Sequence, residues 1–251
     1  INKDLLITFD DGFKENASII APILIDLNIP ASFFFISNCV DNKDLMWRNK
    51  LLIIFKYLDE DKFNVFLKKN LLNKKIIIKN IKLFLSTSLN YLDMNQKEFF
   101  VNNLWKNFVP FSIEEFLNEN NPYCSSEDIR NLSNEGFEIG SHSVSHPVFS
   151  KLSYDIFKEE ILLSSGFLEK IIQKKINLFS YPFGIRANKK FEDLLLKEGT
   201  NIKYFLGIKN VLKNNKNNFQ SWERDNLEFD NERMYFRLLI LPIIRRFIHN
   251  S

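Results

Sequence analysis

Asp10 and Asp11 stand side by side at the end of the apolar run Leu5-Leu6-Ile7-Thr8-Phe9, and Gly12 follows them at once. A run so rich in strand formers predicts a buried strand. A core strand has no use for two carboxylates at its end, because an unpaired buried charge is costly. Asp-Gly is also a common turn former, so this pair alone fits a solvated turn as well as a site. Far downstream, His142 and His146 lie in Ile139-Gly140-Ser141-His142-Ser143-Val144-Ser145-His146-Pro147 and are two of the three histidines in the chain. Carboxylate and imidazole together are the donors a hydrolytic divalent metal prefers. A helical or tightly turned segment would put both imidazoles on one face, within reach of one ion. Adjacent aspartates leave a strand in different directions, which suits one as a ligand and the other beside a water.

The elements that must position these groups follow from periodicity. Glu15 to Leu27 has helical spacing, with Ile19, Ile20, Ile23, Leu24 and Leu27 predicted to face a sheet. Asn28-Ile29-Pro30 stops that helix, and Ala31 to Ile36 reads as a second, fully buried strand. Such a βαβ unit implies parallel strands with helices outside. Residues 41–123 differ. Leu45 to Leu58, Lys62 to Leu72, Lys74 to Phe84 and Lys97 to Phe108 carry helical spacing, and only Lys75 to Ile81 is ambiguous between helix and strand. This stretch is expected to be a helical insertion that adds no barrel strands, a lid or subdomain within one domain spanning residues 1–251. Trp47 and Trp105 in it fit either its core or a substrate groove.

The α/β pattern then resumes. Ser125 is a helix N-cap candidate, Gly136 a stop, and Phe137 to Gly140 a short strand entering the histidine segment. Ser153 to Gln173 is a long amphipathic helix, and Ile176 to Ser180 a strand ending in Tyr181-Pro182-Phe183-Gly184. A helix from Asn188 to Glu198 stops at Gly199, and Ile202 to Leu206 and Phe219 to Trp222 are shorter strand candidates. The tail from Glu232 to Ile248 is predicted to be a helix interrupted at Pro242. Three strands therefore end on polar or conformationally special residues, and in a parallel barrel such ends gather on one face.

Composition sets bounds. The 251 residues suffice for one large domain, with 26 Phe against only 7 Gly and 7 Pro. Scarce Gly and Pro favour long helices over a many-turned β-sandwich. A net charge of +3, without a basic run interleaved with aromatics, argues against nucleic acid. Cys39 and Cys124 are far apart with no CxxC spacing, so reduced thiols are preferred over a disulfide. No apolar run is long enough to span a bilayer, and no signal peptide is visible. The expected location is cytoplasmic or membrane-peripheral, although the sequence opens on Ile1 and residues upstream of it are an open question.

Thr8-Phe9-Asp10-Asp11-Gly12, Ser141-His142-Ser143-Val144-Ser145-His146-Pro147 and Phe179-Ser180-Tyr181-Pro182-Phe183-Gly184 resemble, in order, the first three motifs of the polysaccharide deacetylases, carbohydrate esterase family 4. The resemblance covers residues 4–40 and 125–207. It implies an α/β fold, a distorted parallel barrel of about seven strands. It also implies a divalent metal, zinc by preference, held by Asp11, His142 and His146, with Asp10 as general base. The backbone N–H of Phe183 matches the family's oxyanion donor by position, and Thr8 and Ser141 are expected to orient ligands or cap backbone.

Departures from the pattern matter. Many members have Arg-Pro-Pro where this chain has Ser180-Tyr181-Pro182, so the arginine usually paired with the base is missing. Trp222-Glu223-Arg224-Asp225 is a loose echo of the fourth motif, and Arg224 is a candidate replacement for that cation, against a surface salt bridge. The final motif's acid histidine has no match, since His249 sits in an unrelated context. Asp10 is therefore expected to serve as base and then as acid.

The resemblance implies N-deacetylation of an amino sugar in a surface polysaccharide or its precursor. Alternatives are deformylation or O-deacetylation of a lipid-linked sugar, or a catalytically weak glycan-binding protein. The expected partner is an N-acetylated glycan or lipid-linked sugar. Peripheral membrane contact through Phe236 to Ile248 competes with an ordinary packed helix. The oligomeric state is not legible in the sequence.

Overall fold

The computed structural model describes residues 6–70, 80–208 and 221–224. Six strands, β1 (Ile7–Phe9), β2 (Ala31–Phe35), β3 (Glu138–Ser141), β4 (Leu178–Ser180), β5 (Tyr204–Gly207) and β6 (Ser221–Glu223), pair in chain order. Every pairing is parallel. The sheet curls until Arg224, just past β6, reaches Thr8 and Asp10 at the end of β1. This is the expected distorted parallel (β/α) barrel, with six strands among the described residues rather than about seven.

Burial follows position in the sheet. β2 is buried at all five residues, as its Phe33-Phe34-Phe35 run predicts. β1 is only half-buried, contrary to expectation, because among the described residues it is an edge strand with one strand neighbour. The first helix departs further. A π-helical turn over Asn16–Ile20 precedes α1 (Ala21–Asp26). The wide turn shifts the helical phase. Asn16, Ala21 and Leu24 are buried, whereas Ile19, Ile23 and Leu27, predicted to face the sheet, are exposed.

Residues 41–123 supply α2 (Trp47–Tyr57), α3 (Glu60–Asn70), α4 (Ile81–Ser88), α5 (Met94–Phe108) and α6 (Ile113–Asn120). None of the described residues in this segment joins the sheet. α6 was not anticipated; its Ser112–Glu115 capping box marks its start, as Asp93–Gln96 does for α5. These helices bury their own cluster, including Leu51, Ile54, Phe63, Leu85, Val101, Leu104 and Trp105. The segment begins and ends near β1. Asp41 N–H bonds the Cys124 carbonyl, and Tyr123 forms an antiparallel bridge with Phe13.

The returning chain forms α7 (Ser126–Asn134), α8 (Tyr154–Ile172) and α9 (Lys189–Lys197). Ser125 caps α7 in a full capping box with Asp128. α1, α7, α8 and α9 contribute to a core of which Phe33, Phe149, Phe157, Phe179 and Phe205 are fully buried members. Edge-to-face and tilted ring contacts knit it together, which accounts for much of the heavy use of Phe. Cys39 and Cys124 are free and buried, and burial pushes each thiol up to about 12. Among the described residues no helix is long and apolar enough to cross a membrane. The ambiguous run's residues 75–79, the Glu232–Ile248 helix, Asp225 and His249 lie outside the described residues.

Candidate metal centre and its aspartate pair

The turn after β1 separates the two aspartates. Asp11 and Gly12 both take left-handed backbone conformations, with φ 69° and 71°. A Cβ on Gly12 would meet the Phe35 ring at 2.6 Å, so glycine is required for space as well as for φ. Asp11 Oδ1 then lies 3.3 Å from His142 Nε2 and 3.4 Å from His146 Nε2. Asp10 points instead toward Arg224 and Ser180.

His142 leaves β3 with its N–H bonded to the Phe35 carbonyl. Its Nδ1–H donates to the Ser180 carbonyl at 2.8 Å, which leaves the Nε2 lone pair facing Asp11. Ser143 and His146 have φ 74° and 59°, so a left-handed turn rather than a helix brings the second imidazole back beside the first. Ser143 Oγ accepts the His146 N–H at 3.0 Å and steadies that turn.

Asp11, His142 and His146 are the one group of metal-ligating side chains that converge among the described residues, with ligand atoms within 4.8 Å of one another. Two donors each about 2.05 Å from one ion, at the tetrahedral angle, lie about 3.3 Å apart. The 3.3 and 3.4 Å separations match that geometry. Burial opposes ionisation of Asp11, but in the metal-free site hydrogen bonds and charge from protonated His142 and His146 hold its carboxyl well below the usual carboxylate range. The donor set therefore fits a divalent ion.

Asp10 is held on its other side. Arg224 Nη1 donates to Oδ1 and Nη2 to Oδ2, both at 2.8 Å. Ser180 Oγ accepts from Arg224 Nη2 at 2.6 Å and donates to Asp10 Oδ2 at 3.0 Å. Thr8 Oγ1 accepts from Nη1 at 2.9 Å. Burial raises the Asp10 pKa, yet His142 and Arg224 outweigh it and keep the carboxylate ionised. Asp10 Oδ2 is 3.9 Å from His142 Nε2, beside the cluster rather than in it.

Phe183 lies in the turn Pro182–Gly184 after β4, with φ 58°. At Gly184, with φ 64°, a Cβ would lie 2.7 Å from the Ile208 backbone nitrogen, so the turn has no room for a side chain there. The Phe183 ring stands edge-on to His146, 4.5 Å between centroids, and 6.2 Å from the Trp47 ring. Ser141 Oγ bonds Ser164 Oγ at 2.9 Å and accepts the Ser143 N–H at 3.3 Å, which places it in support of the histidine loop.

Sequence reasoning missed Glu160. From α8 its Oε2 accepts the Val144 and Ser145 N–H groups at 2.8 and 3.0 Å, and its Oε1 accepts Ser145 Oγ–H at 2.6 Å. The signal was present: an acid at position 160 falls on the same helix face as Phe157, Ile161, Ser164 and Leu168, all buried. Trp47 also belongs here, because its indole N–H donates to the His146 carbonyl at 3.1 Å.

The polysaccharide deacetylase family model matches residues 2–60 and 88–202. No curated protein sequence matches. Among solved structures, the Streptococcus pyogenes deacetylase PplD, in complex with acetate, is 13% identical with a TM-score of 0.51, over 90% of this chain and 65% of that one. BA0330 from Bacillus anthracis is 18% identical with a TM-score of 0.50, over 90% of this chain and 47% of that one. BC0361, a polysaccharide deacetylase from Bacillus cereus, gives 17% and 0.49 over the same shares. The chain thus spans about half to two thirds of the length of these proteins, and the likeness to PplD and BA0330, at such identity, is one of fold. The family match itself runs through Asp10, Asp11, His142, His146 and Phe183, the residues that the folded sheet gathers at one end, and the chain belongs to the polysaccharide deacetylase family.

Proposed function

We propose that the protein is a metal-dependent hydrolase that removes N-acetyl groups from amino sugars of a glycan or its precursor. The observation that carries this reading is the division of labour between neighbours: Asp11 faces two imidazoles while Asp10, one residue away, is held apart by Arg224 and Ser180. Asp11, His142 and His146 would hold the ion. Bound there, a divalent ion polarises a carbonyl and lowers the pKa of water.

Asp10 accepts the proton of the attacking water as its oxygen adds to the acetyl carbon. Arg224 and Ser180 orient Asp10 and keep it ionised before that step. As the tetrahedral centre collapses, the C–N bond breaks and Asp10 returns the proton to the leaving amine. The products are acetate and a free amino sugar. The Phe183 N–H is the candidate donor to the developing oxyanion. The His142–Ser180 hydrogen bond fixes the tautomer that ligation needs.

The test is acetate release from a panel of N-acetylated oligosaccharides and lipid-linked N-acetyl sugars, before and after chelation. Release that stops with chelator and returns with zinc is the expected result. Formate release from N-formyl sugars, or acetate only from O-acetyl esters, would replace the N-deacetylase assignment. No release from any substrate by metal-loaded protein would overturn the hydrolase reading.

A further inference from the structure

We infer that Lys97 and Arg48 form an anion-accepting subsite beside the metal centre, so that the favoured ligand is an amino sugar bearing a phosphate or carboxylate. The inference rests on the deacetylase reading and adds the charge class of the substrate. The N-terminal end of α2 is anchored to the histidine loop by the bond from the Trp47 indole to the His146 carbonyl. Trp47 and Phe183 contact each other, and Phe183 contacts His146. A cation lies against each of the two rings. Lys97 Nζ is 4.4 Å from the Trp47 ring centre, and Arg48 Cζ is 4.9 Å from that of Phe183.

Neither cation forms an ion pair among the described residues. The contrast with Lys50 is instructive. Lys50 is fully buried, and its ammonium is met by Asp44 and Glu98 at 2.9 and 2.8 Å. Lys97 is only 3% exposed, its ammonium lies over the Trp47 ring face, and no carboxylate among the described residues pairs with it. Removing a cation from water without an anion is costly, and a ring face recovers only part of that cost. Burial and the charge of Lys151 hold the Lys97 pKa below its ordinary value, with Glu98 opposing. Arg48 is exposed, and the first turn of α2 lacks a side-chain cap, which adds the positive end of the helix dipole. All of these features favour an anion placed against the Trp47–Phe183 pair. Both cations lie two contacts from His146, a span suited to a substituent on the reacting sugar or its neighbour.

The experiment uses zinc-loaded Asp10→Asn protein, in which binding is read without turnover. N-Acetylglucosamine, its 1-phosphate, an N-acetylglucosamine–glucuronate disaccharide and inorganic phosphate are titrated calorimetrically, with Arg48→Gln or Lys97→Met added. At least one anionic sugar should bind about tenfold more tightly than the neutral one, the scale of one charge-assisted contact. Either added substitution should cut that ratio to about threefold or less, as should high salt. The two anionic sugars separate phosphate from carboxylate recognition. Arg48 is on the surface, so its variant keeps the test valid if Lys97→Met fails to fold. Equal binding of neutral and anionic sugars, or a preference that survives both substitutions, would overturn the subsite. Inorganic phosphate binding equally with and without Arg48 and Lys97 would also count against it. Charge preference in a protein whose unsubstituted form releases no acetate would refute the hydrolase reading alone.

Discussion

The guanidinium of Arg224 meets the Asp10 carboxylate with two parallel 2.8 Å hydrogen bonds, linking the residue after the last described strand to the residue after the first. These side chains are 214 positions apart, and no backbone pairing joins β6 to β1. The pair therefore does two jobs. It ties the first and last described strands together, and it fixes the direction of the base.

Arg224→Met should lose both. Asp10 would keep its burial without its cation, and breaking a buried pair on one side costs about 3–5 kcal/mol. With Asp10 partly exposed, about 2–3 kcal/mol is expected, with acetate release down at least about a hundredfold. Arg224→Lys should recover part of the stability but little of the activity, because an ammonium cannot reproduce the two-pronged geometry. Urea unfolding and acetate release on both variants are the measurements. A stable, fully active Arg224→Met protein would show that the pair is incidental.

The aspartates themselves should separate cleanly. Asp10→Asn should retain the metal and lose about 10² to 10⁴-fold in rate, since an amide cannot accept the water's proton. Asp11→Asn should weaken metal binding, because a neutral amide oxygen is a poorer ligand than a carboxylate. Metal content and acetate release on both variants decide the matter. Loss of metal from Asp10→Asn with retention in Asp11→Asn would reverse the two roles.

Much of this architecture was legible before folding, and the exceptions share causes. β2 through β5 and the long helices follow hydrophobic period and caps, as with Ser125 ahead of α7. The exposed face of the first helix was misread because the π-helical turn at Asn16–Ile20 resets the phase, which a 3.6-residue template does not represent. The half-buried state of β1 depends on its place at the sheet edge, a property of topology rather than of Leu5 to Phe9. The aspartates and histidines stood out as clustered local motifs. Arg224 was visible only as a weak echo, because its partner is set by how far the sheet curls. Glu160 belongs to no motif; its one signal was an acid on the buried face of α8, and the packing of α8 beneath the histidine loop gives it work.

Glu160 supports the loop that carries both histidine ligands. Glu160→Ala would leave two partly buried backbone N–H groups without their acceptor and free Ser145 to move. Loss of a group that orients ligands typically lowers metal affinity about 10 to 100-fold. That loss is expected in competition with a chromophoric chelator, with Glu160→Gln falling between it and the unsubstituted protein. Unchanged affinity in Glu160→Ala would show that Ser143 and the strand ends hold the loop unaided.

Acid should attack the start of α7. Asp128 accepts Lys14 at 2.6 Å and closes the Ser125 capping box, while Asp41 accepts the Ser126 N–H at 2.6 Å and its hydroxyl at 2.7 Å. Burial opposes ionisation at both sites, but hydrogen bonds from Lys14 and Ser125 lower the Asp128 pKa, and those from Ser126 lower that of Asp41. A carboxylate whose pKa is lower folded than unfolded adds stability that is fully present above its unfolded value, about 3.9. That contribution is lost as pH falls from there through the folded value. Stability, measured by urea midpoint in metal-free protein, should therefore decline from about pH 5 downward. In Asp41→Asn with Asp128→Asn it should start lower and decline less steeply over the same range. Both side chains are partly exposed, so salt should reduce the difference between the two proteins. Parallel pH curves for the double variant and the unsubstituted protein would place the acid-sensitive carboxylates elsewhere in the fold.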